Sequence, residues 1–240
     1  MNNEEQKQLL AQWVKESSRI VFFGGAGVST ESGIPDFRSV DGLYNQQYDY
    51  PPEEILSHHF FMNNPDEFYR FYWNKMIAEN AKPNPAHLTL AKWEAEGRLL
   101  AVVTQNIDGL HQMAGSKRVY ELHGTVHKNR CMKCGKMVPL SEIEKHEGIP
   151  RCTCGGILKP EVVLYEEGLD DATVSGAVRS IAQADLLIIG GTSLTVYPAA
   201  GFVHYFRGKH LVLMNKTPTA MDAEADLVIT EPIGQVLGSL

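Results

Sequence analysis

Short apolar segments recur along the chain and are separated by stretches with helical spacing. They are rich in Val, Ile and Leu, as strands buried on both faces are. Such segments occur at Arg19–Phe23, Leu99–Thr104, Val119–Leu122, Leu186–Ile189, Leu211–Met214 and Leu227–Ile229. Strands of this kind that alternate with helices predict an α/β fold, in which helices cover both faces of a mostly parallel sheet.

Helical spacing is clearest in three places. Apolar residues spaced four and then three apart predict a helix around Val174, Val178 and Ile181, and Ala86–Glu96 is a second candidate. A third helix is predicted at the start of the chain, where one apolar face is formed by Leu9, Leu10, Trp13 and Val14.

Two stretches interrupt this alternation of strands and helices. Residues Asp41–Lys82 are rich in Tyr, Phe, Asn and Pro and contain no convincing strand, which indicates an irregular and helical insert. Residues Arg130–Pro160 are dense in Gly, Lys and Glu and contain all four cysteines. A chain of 240 residues can therefore form one large domain that carries a smaller insert.

The charge balance narrows the classes of partner. The net charge is −7, and a weakly acidic chain is a poor sequence-independent binder of nucleic acid, which requires clustered Lys and Arg. The first 18 residues lack the basic start and apolar core of a secretory signal, and no apolar run approaches a membrane span. We predict a cytoplasmic protein with neither a membrane nor a nucleic-acid partner.

The cysteines form two close pairs, Cys131 with Cys134 and Cys152 with Cys154. In a reducing compartment such a cluster indicates a metal site rather than disulfides. Four thiolates suit tetrahedral zinc and leave no open position, so the predicted site is structural. Four unliganded thiols are the alternative, and two nearby histidines are further possible ligands, His127 and His146.

The first strand leads into a glycine-rich loop, Gly24–Gly33. Glycines after a buried strand let backbone N–H groups approach a phosphate. However, Thr30 stands where the dinucleotide fingerprint has its third glycine, and Asp49, at the spacing of its acidic residue, does not end a strand. A hydride-transfer dehydrogenase is therefore disfavoured, and a tight turn without a ligand is the alternative.

Five motifs occur in an order that closely resembles the sirtuins, the Sir2-like protein deacylases. They are Gly25–Thr30 with Gly33–Arg38, Thr104–His111, Glu121–Gly124, the cysteine pairs, and Gly191–Leu194 with Tyr197–Ala200. The resemblance covers nearly the whole chain. It implies a Rossmann-type doubly wound parallel sheet with a smaller inserted domain, made of a helical module and a zinc ribbon.

The resemblance also implies a division of the chain. Residues 1–40, 83–125 and 161–240 would form the Rossmann-type NAD-binding domain. Residues 41–82 would form the helical module and residues 126–160 the zinc ribbon of the small domain.

The activity implied by the resemblance is NAD-dependent protein-lysine deacetylation or deacylation. In this family the acyl oxygen attacks C1′ of the nicotinamide ribose, nicotinamide leaves, and the acyl group ends on ADP-ribose. His123 matches the general base, a role for which an imidazole is suited. Asn106 matches a second catalytic residue, whereas His111 is interpreted as structural.

The cofactor contacts implied by the resemblance come from six parts of the chain. They are Gly25, Ala26, Gly27, Thr30, Phe37, Arg38, Gln105, Asn106, Ile107, Asp108, His123, Thr192, Ser193, Asn215 and Ile233. Several of these positions are also compatible with a purely structural role. Arg38 could form a surface pair with Asp36, Asn106 and Asp108 are common residue types in a strand-to-helix turn, and Ile233 could be an ordinary core residue.

The segment that pairs with the acyl-lysine substrate is matched by Val162, Val163, Leu164 and Tyr165. Relatives usually have a phenylalanine pair followed by Gly-Glu, whereas this chain continues with Glu166-Glu167. The extra acid could favour basic peptides or could be a solvated carboxylate.

The preferred acyl group is predicted from the irregular and helical insert Asp41–Lys82. Members that remove acidic acyl groups have a Tyr-x-x-Arg pair, and here Tyr69 is followed by Tyr72 at the arginine position. Arg70 points about 100° away on a helix. We therefore predict a preference for neutral acyl groups.

Three other functions remain compatible with the sequence. The same fold could transfer ADP-ribose onto proteins, or it could sense NAD without turnover. A zinc ribbon that binds nucleic acid is the third, and the acidic charge balance disfavours it.

Overall fold

A six-stranded parallel sheet forms the larger part of this computed structural model, which describes residues 1–36, 50–144 and 148–240. Its strands are β1 (Ile20–Gly24), β2 (Leu99–Thr104), β3 (Val119–Glu121), β7 (Leu186–Gly190), β8 (His210–Met214) and β9 (Leu227–Ile229). They lie in the order β3-β2-β1-β7-β8-β9. Along the chain, β2 and β3 are added on one side of β1, and β7, β8 and β9 are then added on the other side. The direction in which strands are added therefore reverses between β1 and β7. In doubly wound sheets, ligands bind outside the carboxyl ends of the strands at this switch point.

Helices cover both faces of this sheet. On one face, α1 (Asn3–Glu16), α5 (Pro85–Ala95) and α8 (Ile233–Gly238) pack through Leu10, Trp93 and similar buried side chains. On the other face lie α7 (Asp171–Gln183) and the 3₁₀ segment Ala199–Tyr205. A short helix, α6 (Leu110–Met113), follows the loop after β2. Apolar strands in the middle of the sheet are thereby buried on both faces, and the predicted fold class is confirmed.

A second sheet is antiparallel and contains β4 (Gly124–Cys131), β5 (Met137–Pro139) and β6 (Leu158–Val162). Its strand order is β5-β4-β6. It shares a separate apolar core with α2 (Pro52–Ile55), α3 (His58–Asn63), α4 (Pro65–Phe71) and the π-helical turn Tyr72–Met76. Aromatic rings dominate this core, since Phe61, Phe68, Tyr69 and Tyr72 are all buried and in mutual contact.

The structure agrees with the predicted strands to within one residue at each end. The opening helix and the helix around Val178 are also found, and Ala86–Glu96 corresponds to Pro85–Ala95. The three strands of the small sheet were not predicted. The eight residues of β4 follow no regular alternation of buried and exposed positions, and β5 and β6 are only three and five residues long. In the part of the chain that the structure describes, no helix combines the length and apolar character needed to cross a bilayer.

Candidate active site

Two loops meet closely at the carboxyl ends of β1 and β7. Gly25 N–H donates to the carbonyl of Gly190 (3.0 Å), and Gly27 N–H donates to that of Gly191 (2.8 Å). A Cβ on Gly27 would lie 2.7 Å from Gly191 Cα, and one on Gly25 would lie 2.7 Å from the Cβ of Thr192. These glycines are thus required for loop packing, and their N–H groups are engaged by protein carbonyls rather than directed at a phosphate.

The loop after β1 also contacts the loop after β2 through a polar network. Ser29 Oγ donates to Asp108 Oδ2 (2.7 Å), and Asn106 Nδ2 donates to Ser29 Oγ (3.1 Å). Ser29 is only 1% exposed. The structure therefore brings the predicted site residues Asn106 and Asp108 together through Ser29. This serine was not among the predicted site residues, although it lies inside the glycine-rich motif.

Gln105 links this network to the loop after β7. Its Oε1 accepts a hydrogen bond from Thr192 Oγ1 (2.8 Å). Its Nε2 is buried and has no hydrogen-bond partner among the described residues. A buried amide donor without a partner is costly unless a ligand completes it. The carboxamide and hydroxyl groups of NAD could satisfy such a donor, so the polar groups at this switch point fit the cofactor that the sequence implies.

His123 follows β3 and adjoins the same site. Its Nδ1 lies 3.0 Å from the main-chain carbonyl of Gln105. A carbonyl can only accept, so Nδ1 carries the proton and Nε2 of the neutral ring has an available lone pair. Burial lowers the pKa of His123, and the hydrogen bond to Gln105 opposes this. The imidazole is thus kept neutral near physiological pH, as a general base must be.

The other predicted cofactor residues are spread around these loops. Thr30 Oγ1 donates to the Gly27 carbonyl (3.0 Å), and Ser193 Oγ lies 2.8 Å from Thr195 Oγ1. Asn215, directly after β8, donates its side-chain amide to the Thr217 carbonyl (2.8 Å). Ala26 is half-buried beside the glycines, and Ile107 packs at the edge of the small-sheet core.

Three predicted cofactor residues differ from the rest. Ile233 begins α8, is 5% exposed and belongs to the main apolar core, so its packing role is evident. Phe37 and Arg38 lie outside the described residues, and with them the alternative pairing of Arg38 with Asp36.

The predicted substrate segment begins in β6 and ends in a turn. Val163 N–H donates to the His123 carbonyl (2.9 Å), which joins the segment directly to the residue predicted as the base. Val162 and Leu164 are buried, whereas Tyr165 is 38% exposed. Tyr165 N–H donates to the Leu56 carbonyl (2.9 Å), so the segment also contacts the helices that precede α4.

The four cysteines converge at one end of the small sheet. Their sulfurs all lie within 4.8 Å of one another, with Cys131 and Cys154 Sγ 3.4 Å apart and Cys134 and Cys152 Sγ 3.8 Å apart. Tetrahedral zinc with Zn–S bonds of about 2.3 Å separates its sulfurs by about 3.8 Å. The donor set and spacing therefore fit one zinc ion with a closed shell.

The two histidines considered as further ligands are not part of this cluster. His127 Nε2 lies 2.8 Å from the Asp108 carbonyl, to which it donates. His146 lies outside the described residues.

A second pair of histidines is buried behind the polar network. His111 is 1% exposed, and its ring lies 4.7 Å from that of His87. Neither nitrogen of His111 has a hydrogen-bond partner in the described part of the chain. Burial lowers the pKa of His111 to about 3, with a smaller contribution from His87, and burial lowers the pKa of His87 to about 4. Both rings are therefore neutral at physiological pH.

Comparison with known proteins supports one family. A model of the Sir2 family matches residues 25–198. The chain is 61% identical over 232 residues to an NAD-dependent protein deacetylase of Clostridium acetobutylicum (95% of each chain), and 58% identical over 235 residues to one of Clostridium perfringens (96% of each). A solved structure of a Sir2 variant with a deacetylated p53 peptide and 3′-O-acetyl-ADP-ribose is also similar, with a TM-score of 0.89, 36% identity and coverage of 96% of this chain and 95% of that chain. The chain therefore belongs to the Sir2 family.

Proposed function

We propose that this protein is an NAD-dependent protein-lysine deacetylase. The observation that carries the proposal is the neutral His123, whose Nδ1–H is fixed on the Gln105 carbonyl beside the network of Ser29, Asn106 and Asp108. This arrangement provides an oriented base next to polar groups suited to a carboxamide and a ribose. Both clostridial relatives are NAD-dependent protein deacetylases, which supports the same activity.

NAD, when bound, would supply the ribose carbon with which the acyl oxygen forms a bond as the bond from that carbon to nicotinamide breaks. The chain's own residues would orient NAD and remove the proton. Gln105 and Asn106 would hold the carboxamide and ribose by hydrogen bonds, with the amide of Asn106 itself oriented by Ser29. Nε2 of His123 would remove a proton from a ribose hydroxyl, and Gln105 would stabilise the imidazolium through Nδ1–H.

The substrate proposed here is an acyl-lysine in an extended peptide lying against Val162, Val163, Leu164 and Tyr165. The direct bond between Val163 N–H and the His123 carbonyl supports this, because it places that segment beside the base. The solved structure of a similar Sir2 variant contains a deacetylated p53 peptide, which also supports this substrate class.

The zinc ribbon is proposed to be structural, and we likewise propose the division into a Rossmann-type domain and a small domain. The separate apolar core of the small sheet supports that division. We also propose a cytoplasmic location, because four thiols arranged as a metal site suit a reducing compartment.

The decisive experiment measures nicotinamide release by the zinc-loaded protein with NAD, in the presence of an acetyl-lysine peptide or of its unacetylated form. Release that depends on the acetyl group, with mass spectrometry identifying O-acetyl-ADP-ribose, is the expected result. ADP-ribosylated protein as the main product would instead support the transferase alternative. Binding of NAD without turnover would refute the enzymatic function.

A further inference from the structure

The turn that follows the predicted substrate segment contains a strained residue. Glu166 has φ +76°, in the left-handed region that glycine favours. Among the described residues, only Leu194 is another non-glycine residue with positive φ. A side chain held at an unfavourable φ points to a role for that side chain.

The Glu166 carboxylate has a specific partner. Its Oε2 accepts a hydrogen bond from the main-chain N–H of His59 (2.9 Å). His59 lies in the first turn of α3, where N–H groups have no partner within the helix. The acidic side chain is therefore bonded to the helical part of the small domain, and it is not simply a solvated carboxylate.

Other contacts bring the same two segments together. His58 N–H donates to the Tyr165 carbonyl (3.0 Å). The Glu167 carboxylate accepts from Leu164 N–H (2.9 Å) and contacts His58 Nδ1 (2.8 Å) and Lys159 Nζ (3.0 Å). The turn is thus attached to α3 on one side and to β6 on the other, and the Glu166 carboxylate adds a further bond to α3.

We infer that Glu166 is a positioning residue for the peptide substrate: it fastens the end of the substrate segment to α3 and so fixes the edge along which the peptide lies. The inference rests on the proposed function. None of the hydrogen bonds described for Glu166 involves the network of Ser29, Asn106 and Asp108. Loss of the bond between Glu166 and His59 should therefore raise KM for the peptide and leave KM for NAD unchanged.

The key variant is Glu166→Gly. Glycine adopts φ +76° without strain, so the melting temperature should be unchanged or higher, while KM for an acetyl-lysine peptide should rise about 3- to 10-fold through loss of one charge-assisted hydrogen bond. kcat and KM for NAD should remain within about twofold. A higher peptide KM without loss of stability separates positioning from a general structural role.

Three control variants complete the experiment. Glu166→Gln keeps a hydrogen-bond acceptor without the charge, and its peptide KM should lie closer to that of the parent protein than to that of Glu166→Gly. His59→Ala keeps the main-chain N–H and should have no effect. Glu161→Ala removes another carboxylate of the same region, one that pairs with Arg130 (2.6 Å), and should also have no effect on peptide KM.

Each kinetic measurement is made with peptides that have basic or neutral residues beside the acetyl-lysine. Positioning predicts the same loss for both peptides in Glu166→Gly. An unchanged peptide KM, an equal rise in the KM for NAD, or a loss confined to the basic peptide would overturn the inference. Failure of the parent protein to release nicotinamide with any acetyl-peptide would refute the proposed function instead, so the two failures are distinguishable.

Discussion

At the scale of single residues, one carbonyl sets the chemistry of His123. The Gln105 carbonyl holds the proton on Nδ1, and burial lowers the pKa of the ring, so Nε2 is an available base at neutral pH. Neither effect depends on the bound substrates. The proposed base is therefore oriented by the fold before either substrate binds.

Replacing His123 tests this role. His123→Ala should lower deacetylation by about 10²- to 10⁴-fold, because general-base catalysis is lost, while NAD still binds to the intact polar network. Steady-state turnover and calorimetric titration with NAD measure the two effects. His204→Ala, at an exposed histidine of the Ala199–Tyr205 segment, is the matched control. Activity of His123→Ala within about twofold of the parent protein would contradict the assignment.

The acyl preference is also decided by individual side chains. The Tyr69 hydroxyl donates to the Leu158 carbonyl, and the ring is fully buried. Arg70 is 62% exposed and pairs with Glu67 at 2.5 Å, so its guanidinium faces the surface. Tyr72, at the position of the arginine in enzymes that remove acidic groups, is buried and uncharged at neutral pH.

We therefore expect kcat/KM for acetyl-lysine to exceed that for succinyl-lysine in the same peptide by at least about tenfold, because a buried carboxylate without a cation is costly. Butyryl-lysine, which matches succinyl in chain length but has no charge, separates size from charge. Succinyl removed faster than butyryl would show that another cation reaches the acyl group.

At the scale of elements, β4 connects the metal site to the candidate active site. It begins at Gly124, directly after His123, and ends at Cys131. Along it, Val126 N–H donates to the Ile107 carbonyl (3.1 Å) and His127 contacts the Asp108 carbonyl. Disorder of the ribbon should therefore disturb the positions of both the proposed base, His123, and the loop after β2.

Removal of zinc tests this connection. Elemental analysis should find one zinc per chain, and its removal by a chelator should lower both the melting temperature and deacetylation, because small metal sites depend on the ion to fold. Zinc added back should restore both. Metal-free protein with unchanged stability and full activity would show that the ribbon folds without the ion.

At the scale of the whole molecule, the buried histidines couple stability to pH. The folded-state pKa values of His111 and His87, about 3 and about 4, lie below the ordinary value of 6.5. Below pH 6.5 the unfolded chain therefore binds protons that the folded chain does not. Their contribution to stability is fully present above pH 6.5 and is lost as the pH falls towards 4.

We expect the free energy of unfolding to fall by about 1 kcal/mol between pH 7.5 and 5.5 through His111 alone. Urea denaturation of the zinc-saturated protein at both pH values measures it. His111→Leu removes the titrating ring and should reduce the pH dependence by that amount, whereas His204→Ala should not. An equal pH dependence in His111→Leu and the parent protein would mean that this ring titrates normally.

The parallel sheet, the metal ligands and the family could all be predicted from the sequence alone. Apolar strands such as Leu186–Ile189 are recognisable because burial on both faces requires continuous apolar residues, and cysteine pairs are recognisable because zinc requires closely spaced thiolates. The glycine-rich loop was recognised as well, but the sequence does not reveal that Gly25 and Gly27 are required by the close approach of the loop after β7.

Hydrogen bonds between residues far apart in sequence depend on the tertiary fold and could not be predicted. Ser29 links Asn106 to Asp108 from 77 and 79 residues away, and no local pattern marks such a bond. The strain at Glu166 and its bond to His59 arise in the same way, because a positive φ at a glutamate persists only when a distant element holds it. Strand and metal signals are local in sequence, whereas hydrogen-bond networks form between segments that only folding brings together.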